Sequence, residues 1–114
     1  MTSTSSNSIV HIDISGPEAG QLETFYRDVF GWQIDSKGPG YSLVHTPEGG
    51  PDGAIIEAPR PSVIVGVAVD DLVASVAQAL AAGGSQIMPV TDNGWVRKAQ
   101  VADPMGNVVT LIQR

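Results

Sequence analysis

The chain has 114 residues, no cysteine and a formal net charge of −6. This length suits a single domain, and the lack of cysteine excludes disulfides, thiolate metal sites and cysteine nucleophiles. Six scattered Lys and Arg residues in an acidic chain argue against nucleic acid as a partner. No apolar run approaches the roughly 18 residues that a membrane span needs. We therefore expect a cytoplasmic protein that binds a small organic molecule, with no nucleic-acid or membrane partner.

The sequence resembles two copies of one structural unit. A shift of 53 positions (64 − 11) aligns two strand starts, two helix ends and two turn glycines. The aligned pairs are His11 with Ile64, Gly31 with Gly84, Gly53 with Gly106, and Glu57 with Thr110. A unit of half this length would struggle to build its own core, so we expect the copies to pack together around one cavity. The positions at which the copies differ in chemistry, His11 and Glu57, become the candidates for function.

The predicted elements begin after residues 1–8, a Ser/Thr/Asn-rich stretch without the basic and apolar regions of a signal peptide, which we expect to be flexible. Residues 9–58 predict a strand, a helix and three further strands. The first strand alternates between an aliphatic side and a side with His11 at its centre. The helix opens after Gly16, carries an apolar stripe and ends at Gly31 in the C′ position.

The second half repeats this plan. Residues 59–62 contain two prolines and form a linker, and residues 63–114 predict the second strand–helix–strand–strand–strand unit. Asp70 or Asp71 caps its helix. Asn93-Gly94 is a strong hairpin signal.

At this point the chain resembles the vicinal oxygen chelate superfamily, which includes glyoxalase I, bleomycin-resistance proteins and extradiol dioxygenases. The resemblance covers the chain from Ile9 onward and is carried by two βαβββ units and three short motifs. These are Phe30-Gly31-Trp32 at the first helix end, Val69-Asp70-Asp71-Leu72 before the second helix, and Asp103-Pro104-Met105-Gly106-Asn107 before the last strand. The resemblance implies an α+β fold of two βαβββ modules forming curved, mostly antiparallel sheets around a cavity. It also implies a homodimer.

Metal-using members of this superfamily take one ligand from the first strand and one from the last strand of each unit. The resemblance places those positions at His11, Glu57, Ile64 and Thr110. His11 and Glu57 match a ligand pair, whereas isoleucine cannot bind a metal and threonine is a poor ligand for Zn, Ni or Fe. The sequence thus offers half of a metal site. A divalent ion (Zn, Ni, Fe or Mn) stays an alternative, and no cofactor is firmly implied.

We expect His11 and Glu57 to lie on neighbouring strands, on the side away from the helix, where their side chains could touch. Three interpretations follow: a hydrogen-bonded pair that lines a binding cavity, a general acid/base pair, and a two-ligand metal site. The leading interpretation is a small-molecule binding protein of the glyoxalase or bleomycin-resistance type with these two residues as polar anchors. The alternative is a metal-dependent lyase or dioxygenase.

Ile64, Thr110 and Trp95 complete the predicted ligand-binding set, the first two as the opposite wall of the cavity. Four other large apolar residues could also line a pocket but are more often core: Trp32, Tyr41, Met88 and Met105. His45, beside a Pro/Gly-rich loop, is expected to be a surface or loop histidine rather than a ligand.

Overall fold

The computed structural model describes residues 7–94 and 96–113. Its elements follow the βαβββ plan twice. The first set is β1 (Ile9–Gly16), α1 (Ala19–Phe30), β2 (Gln33–Gly38), β3 (Tyr41–His45) and β4 (Asp52–Glu57). The second set is β5 (Ser62–Val69), α2 (Leu72–Ala81), β6 (Ser85–Asp92), β7 (Arg97–Ala102) and β8 (Val108–Gln113). The predicted α+β class and the two βαβββ modules are confirmed.

The chain divides into two compact units. Among the described residues, the first module comprises residues 11–64, and the second comprises residues 65–94 and 96–113 together with residues 7–10. Two residues of the predicted flexible N-terminus take part in the second module: the Asn7 amide donates to the Ala68 carbonyl at 2.6 Å, and the Ser8 carbonyl accepts from the Ala68 amide at 2.8 Å. Residues 1–6 lie outside the described part of the chain.

The first module places its strands in the order β2-β3-β4-β1. The β2–β3 and β3–β4 pairs are antiparallel, and the β4–β1 pair is parallel. One face of this sheet packs against α1 through a core of Ile14, Ala19, Val44 and Ile55, with Leu22 and Tyr26 half-buried against it. Side chains alternate between the faces of a strand, so the face away from α1 carries the neighbours of these core residues.

The second module repeats this arrangement with the order β5-β8-β7-β6, again with one parallel and two antiparallel pairs. Its core joins Val69 of β5 to Leu72 and Val76 of α2, and to Ala99 and Val101 of β7. Val69 therefore lies on the side of β5 that faces α2. The mostly antiparallel character expected of the sheets holds within each module.

The register of the last strands differs from the predicted repeat. Ile14 of β1 and Val67 of β5 both face the helix of their module and correspond at the offset of 53 (67 − 14). Within its own module, Ile14 pairs with Ile55 of β4, and Val67 pairs with Leu111 of β8. The last strands therefore correspond at an offset of 56 (111 − 55). The β6–β7 hairpin, longer than β2–β3, adds the extra residues.

This offset changes the predicted pairing of Glu57 with Thr110. The counterpart of Thr110 is Ala54 (110 − 56), and the counterpart of Glu57 is Gln113 (57 + 56). The predicted alignment of Glu57 with Thr110 was therefore wrong, because it carried one offset across hairpins of different lengths.

The end of α1 and the start of α2 lie at the residues that the sequence predicts. Gly31 adopts the left-handed conformation (φ 70°) after α1, and its amide donates to the Arg27 carbonyl at 2.8 Å. Asp71, rather than Asp70, caps α2 by accepting from the Ala74 amide at 3.1 Å. Among the described residues, neither helix is long and apolar enough to cross a membrane.

The turn before β8 is organised by Asp103. Its carboxylate accepts hydrogen bonds from the Asn107 side chain at 2.9 Å and from the backbone amides of Asn107 and Met105. These bonds, the Asn107 side chain first, hold the pKa of Asp103 below its usual value. The Asp103-Pro104-Met105-Gly106-Asn107 motif therefore has a local structural role in closing this turn.

Gly53 provides a test of how closely β1 and β4 pack. A Cβ atom at this position would lie 2.5 Å from the Ile12 carbonyl oxygen, whereas a Cβ atom at Gly20 in α1 would meet nothing within 4 Å. We expect Gly53→Ala to lower the free energy of unfolding by about 1–3 kcal/mol through overpacking. Gly20→Ala, the matched control, should raise it by roughly 0.5–1 kcal/mol. Urea unfolding followed by circular dichroism measures both, and equal effects of the two substitutions would contradict the described β1–β4 contact.

Candidate functional site

Glu57 lies at the end of β4 on the face that packs against α1. It follows helix-facing Ile55 by two residues, and its Oε1 accepts a hydrogen bond from the Ala19 amide at 3.2 Å. The first four amides of a helix lack partners within the helix, and the N-cap residue Glu18 makes no side-chain capping bond. Glu57 therefore supplies an acceptor to the N-terminus of α1, where a negative charge is also favoured by the helix dipole.

Gln113 makes the corresponding contact in the second module. Its Oε1 accepts from the Leu72 amide at 3.0 Å, at the first residue of α2. Gln113 is the residue that the offset of 56 aligns with Glu57. Two modules with different side chains at this position thus share the same contact, which indicates a structural role for Glu57 that requires an oxygen acceptor.

His11 and Glu57 are not brought together. In the parallel β1–β4 pair His11 is opposite Asp52, and Glu57 is opposite Gly16, five positions further along. At about 3.3 Å per residue this separation is roughly 17 Å along the strands. The odd spacing also puts the two side chains on opposite faces. The predicted contact between them was wrong, although the neighbouring position of their strands is confirmed.

The partner of His11 is Asp13. The imidazole Nε2 lies 2.8 Å from Asp13 Oδ1, and the side chains are 28% and 20% exposed. Both residues are on β1 with a spacing of two, which places them on the same face, away from α1. The sequence signal for this pair was the spacing of two in His11-Ile12-Asp13, on a single strand.

A row of polar side chains crosses this face of the sheet from β1 to β2. Cross-strand pairing aligns His11 with Asp52, Asp52 with His45, and His45 with Gln33. His45 lies between two carboxylates, with Nε2 3.1 Å from Asp35 and Nδ1 3.5 Å from Asp52. His45 is thus a partly exposed strand residue with partners at both ring nitrogens, which agrees with the expected surface histidine.

The adjacent rows of the same face are more apolar. Asp13 aligns with Ala54 and Ala54 with Leu43, and the next row joins Ser15, Ile56 and Tyr41. Ala54 is buried and Tyr41 is 40% exposed. The face away from α1 therefore combines an imidazole–carboxylate pair with a small apolar surface, the composition expected of a site for a partly apolar molecule.

The other predicted site residues have separate places. Thr110 is 4% exposed and accepts a hydrogen bond from Gln100 Nε2 at 3.1 Å within the second module. Ile64 is half-buried on β5. Trp95 lies outside the described residues.

The apolar candidates divide between packing and exposure. Trp32 stacks on Tyr26 with ring centroids 5.3 Å apart and an interplanar angle of 8°, which supports a packing role. Met88 is half-buried and Met105 is 85% exposed.

Open grooves of the first module lie beside the first turns of α1. One, of about 810 Å³, is lined by Glu18, Gly20, Gln21, Thr24, Phe25 and Glu57. A smaller one of about 350 Å³ shares Glu18, Gln21 and Phe25 with it. Glu57 lines the larger groove and His11 lines neither, which is a second sign that these two residues serve different surfaces.

The predicted half metal site does not fit the geometry. A bound ion needs ligand atoms within about 2.0–2.6 Å of one point, and His11 and Glu57 point from opposite faces of the sheet. Among residues 7–94 and 96–113, no three His, Asp or Glu side chains converge in a way that could hold a metal ion. The glyoxalase-type ligand positions on β1 and β4 thus do not form a joint centre in this module.

Comparison with known proteins agrees with this fold. The model of the glyoxalase-like domain family matches residues 9–112. The chain therefore belongs to the glyoxalase-like domain family. No curated protein sequence matches it.

Solved structures share the fold at low sequence identity. Methylmalonyl-CoA epimerase from Mycobacterium tuberculosis superposes with a TM-score of 0.73 at 16% identity, covering 99% of this chain and 92% of the epimerase. The Mn(II)-bound glyoxalase from Novosphingobium aromaticivorans gives 0.72 at 15% identity, covering 95% and 39% of the two chains. The 2,2',3-trihydroxybiphenyl 1,2-dioxygenase from Sphingomonas wittichii strain RW1 gives 0.70 at 22% identity, covering 96% and 41%. At these identities the likeness establishes the fold.

The capping role of Glu57 can be tested against its amide counterpart. We expect Glu57→Ala to lower the free energy of unfolding by about 1 kcal/mol, the usual cost of losing a helix cap. Glu57→Gln keeps an oxygen acceptor, as Gln113 does in the second module, and should retain most of that stability. Chemical denaturation of the three proteins measures the difference. A fully stable Glu57→Ala protein would contradict the capping role.

Proposed function

We propose that this protein binds a small, partly apolar organic molecule on the face of the first-module sheet that lies away from α1, with His11 as the polar anchor. The observation that supports this proposal is the half-buried His11–Asp13 pair beside the apolar row of Leu43 and Ala54. An imidazole held by a carboxylate offers a fixed hydrogen-bonding atom. Half-buried Leu43 and Ile56, with partly exposed Tyr41, offer apolar area for a ring or a short chain.

Glu57 takes no part in this site. It is occupied at the N-terminus of α1 and points to the opposite face. We therefore propose His11 with Asp13 as the anchoring pair. This proposal keeps the first of the three interpretations of the sequence but changes its carboxylate.

A hydroxylated aromatic compound is the first probe that this geometry suggests. Such a molecule has an apolar ring for the Leu43–Ala54 row and a hydroxyl group for His11. One structural neighbour is named for a trihydroxybiphenyl, which makes catechol and its phenyl derivatives a sensible starting series for this chain as well.

Metal-dependent lyase or dioxygenase chemistry is the second candidate, because one structural neighbour is described as Mn(II)-bound. The fit of the residues argues against a family-type centre in which His11 and Glu57 share an ion. No catalytic step is therefore assigned to a metal.

Binding of catechol should depend on His11. We expect His11→Ala to weaken binding by about tenfold, which corresponds to the loss of one hydrogen bond of roughly 1.4 kcal/mol. His45→Ala is the matched control, since both ring nitrogens of His45 face Asp35 and Asp52, and it should change the affinity much less. Titration followed by nuclear magnetic resonance (NMR) gives the three affinities. Equal affinities of wild type and His11→Ala would reject the proposed site.

Metal titration separates the two candidate functions. We expect Glu57→Ala to leave the affinity for Mn²⁺ and Zn²⁺ unchanged, because Glu57 and His11 lie on opposite faces of the sheet. Calorimetric titration of wild type, His11→Ala and Glu57→Ala measures this. Stoichiometric metal binding that both substitutions abolish would overturn the small-molecule proposal in favour of a shared metal centre.

A further inference from the structure

The hydrogen bond between His11 and Asp13 determines which ring nitrogen of His11 is free. An ionised carboxylate can only accept hydrogen bonds, so the imidazole Nε2 at 2.8 Å from Asp13 must donate. A neutral imidazole carries a single ring proton. With that proton on Nε2, Nδ1 is left with a lone pair, and it has no hydrogen-bond partner among residues 7–94 and 96–113.

We propose that Asp13 is a positioning residue that holds His11 in the Nε2–H tautomer, so that Nδ1 accepts a hydrogen bond from an O–H or N–H donor of an uncharged ligand. This inference rests on the proposed function and names the class of molecule that the same site takes. A ligand whose polar group only accepts hydrogen bonds, such as a carboxylate, finds no donor on neutral His11.

The charges of this face support the same selection. Its carboxylates are Asp13, Asp35 and Asp52. None of the paired positions that share this face in the described strands β1 to β4 is Lys or Arg. These positions are residues 11, 13, 15, 33, 35, 41, 43, 45, 52, 54 and 56. At these paired positions an anionic ligand would meet like charges and no cation, which disfavours its binding there.

The partial burial of the pair strengthens the effect of Asp13. With 28% and 20% of the His11 and Asp13 side chains exposed, the hydrogen bond between them is only partly open to competing water. A hydrogen bond to an ionised group is stronger than one between neutral groups. The carboxylate is therefore able to bias the tautomer of the ring, and not merely to contact it.

His45 provides an internal reference for this argument. It is the only other histidine in the sequence, and its two ring nitrogens face Asp35 and Asp52 on neighbouring strands. A substitution at Asp35 changes the charge of the face by the same amount as one at Asp13, but it acts on the other imidazole. The two positions thus separate a local effect on His11 from a general electrostatic one.

The first experiment reads the tautomer without any ligand. Long-range ¹H–¹⁵N NMR spectra of ¹⁵N-labelled protein, in an alkaline buffer in which ordinary histidine side chains are neutral, distinguish a protonated Nε2 from a protonated Nδ1. The His45→Gln variant assigns the His11 signals. We expect wild type to show the Nε2–H pattern, Asp13→Ala and Asp13→Asn to shift toward a mixture of tautomers, and Asp35→Asn to leave the His11 pattern unchanged.

An unchanged His11 pattern in both folded Asp13 variants, or a shift of equal size in Asp35→Asn, overturns the role of Asp13. Amide spectra report whether each variant is folded. Asp13→Asn, which preserves the size of the side chain, keeps the test decisive where Asp13→Ala perturbs the strand.

The second experiment compares phenol with benzoate, two probes with the same ring and opposite polar groups. We expect phenol to perturb the His11 ring signals and to bind at least about tenfold more tightly than benzoate, with this preference reduced in Asp13→Ala. Benzoate that binds His11 as tightly as phenol overturns the ligand class. A His11 ring that responds to no probe, catechol included, rejects the proposed function and the ligand class together, whereas the tautomer result tests Asp13 by itself.

Discussion

The parallel pairing of β1 with β4 is the constraint on which the first module depends. It sets Ile14 opposite Ile55 in the core beneath α1, and every other placement on the two strands follows from that match. Because side chains alternate strictly, a shift of one residue would exchange the faces of all of them. The close approach of Gly53 to the Ile12 carbonyl leaves little room for such a shift. The same register that buries the isoleucines sends His11 to one face and Glu57 to the other.

The two modules make the same contact to the first amide of their helix with different side chains. Glu57 and Gln113 each accept a hydrogen bond from the first amide of the helix in their module. Both side chains present an oxygen acceptor, so the charge of Glu57 is not required for the contact itself. A glutamate at the end of β4 is consequently explained by helix capping, and a functional role is not needed to account for it. His11 differs from Glu57 in this respect. Its counterpart in the second module, Ile64, is aliphatic, so no polar contact shared by the two modules explains the histidine.

Much of the fold could be predicted from the sequence, since local signals determine it. The end of α1 follows from Gly31, a glycine that adopts a positive φ, and the cap of α2 follows from an aspartate before the helix. The apolar stripe of α1 was less informative: Leu22 and Tyr26 pack on the sheet, whereas Phe25 and Val29 remain more than half exposed. An apolar period shows that a face exists, but it does not show how much of that face the sheet covers.

The site could be predicted only in part, because it depends on register between distant strands. The sequence has a histidine on the first strand of the module and a glutamate on its last strand. The resemblance to the superfamily made these two residues partners, and the repeat offset of 53 aligned the glutamate with Thr110. Because the hairpins of the two modules differ in length, the last strands correspond at an offset of 56 instead. A shift of three positions is odd, so it also moves a side chain on the last strand to the other face of the sheet. The pair that forms, His11 with Asp13, was visible as a spacing of two on a single strand, for which no long-range register is needed.

The most direct test of this account is the hydrogen-bonded register of β1 and β4 in solution. The structure has the Ala58 amide donating to the Gly16 carbonyl at 2.9 Å, next to Glu57. A scalar coupling across that hydrogen bond, from the Ala58 nitrogen to the Gly16 carbonyl carbon, is the result that the account requires. Cross-strand contacts that place Glu57 beside His11 instead would contradict it, and would restore the pairing of those two side chains as the centre of the site.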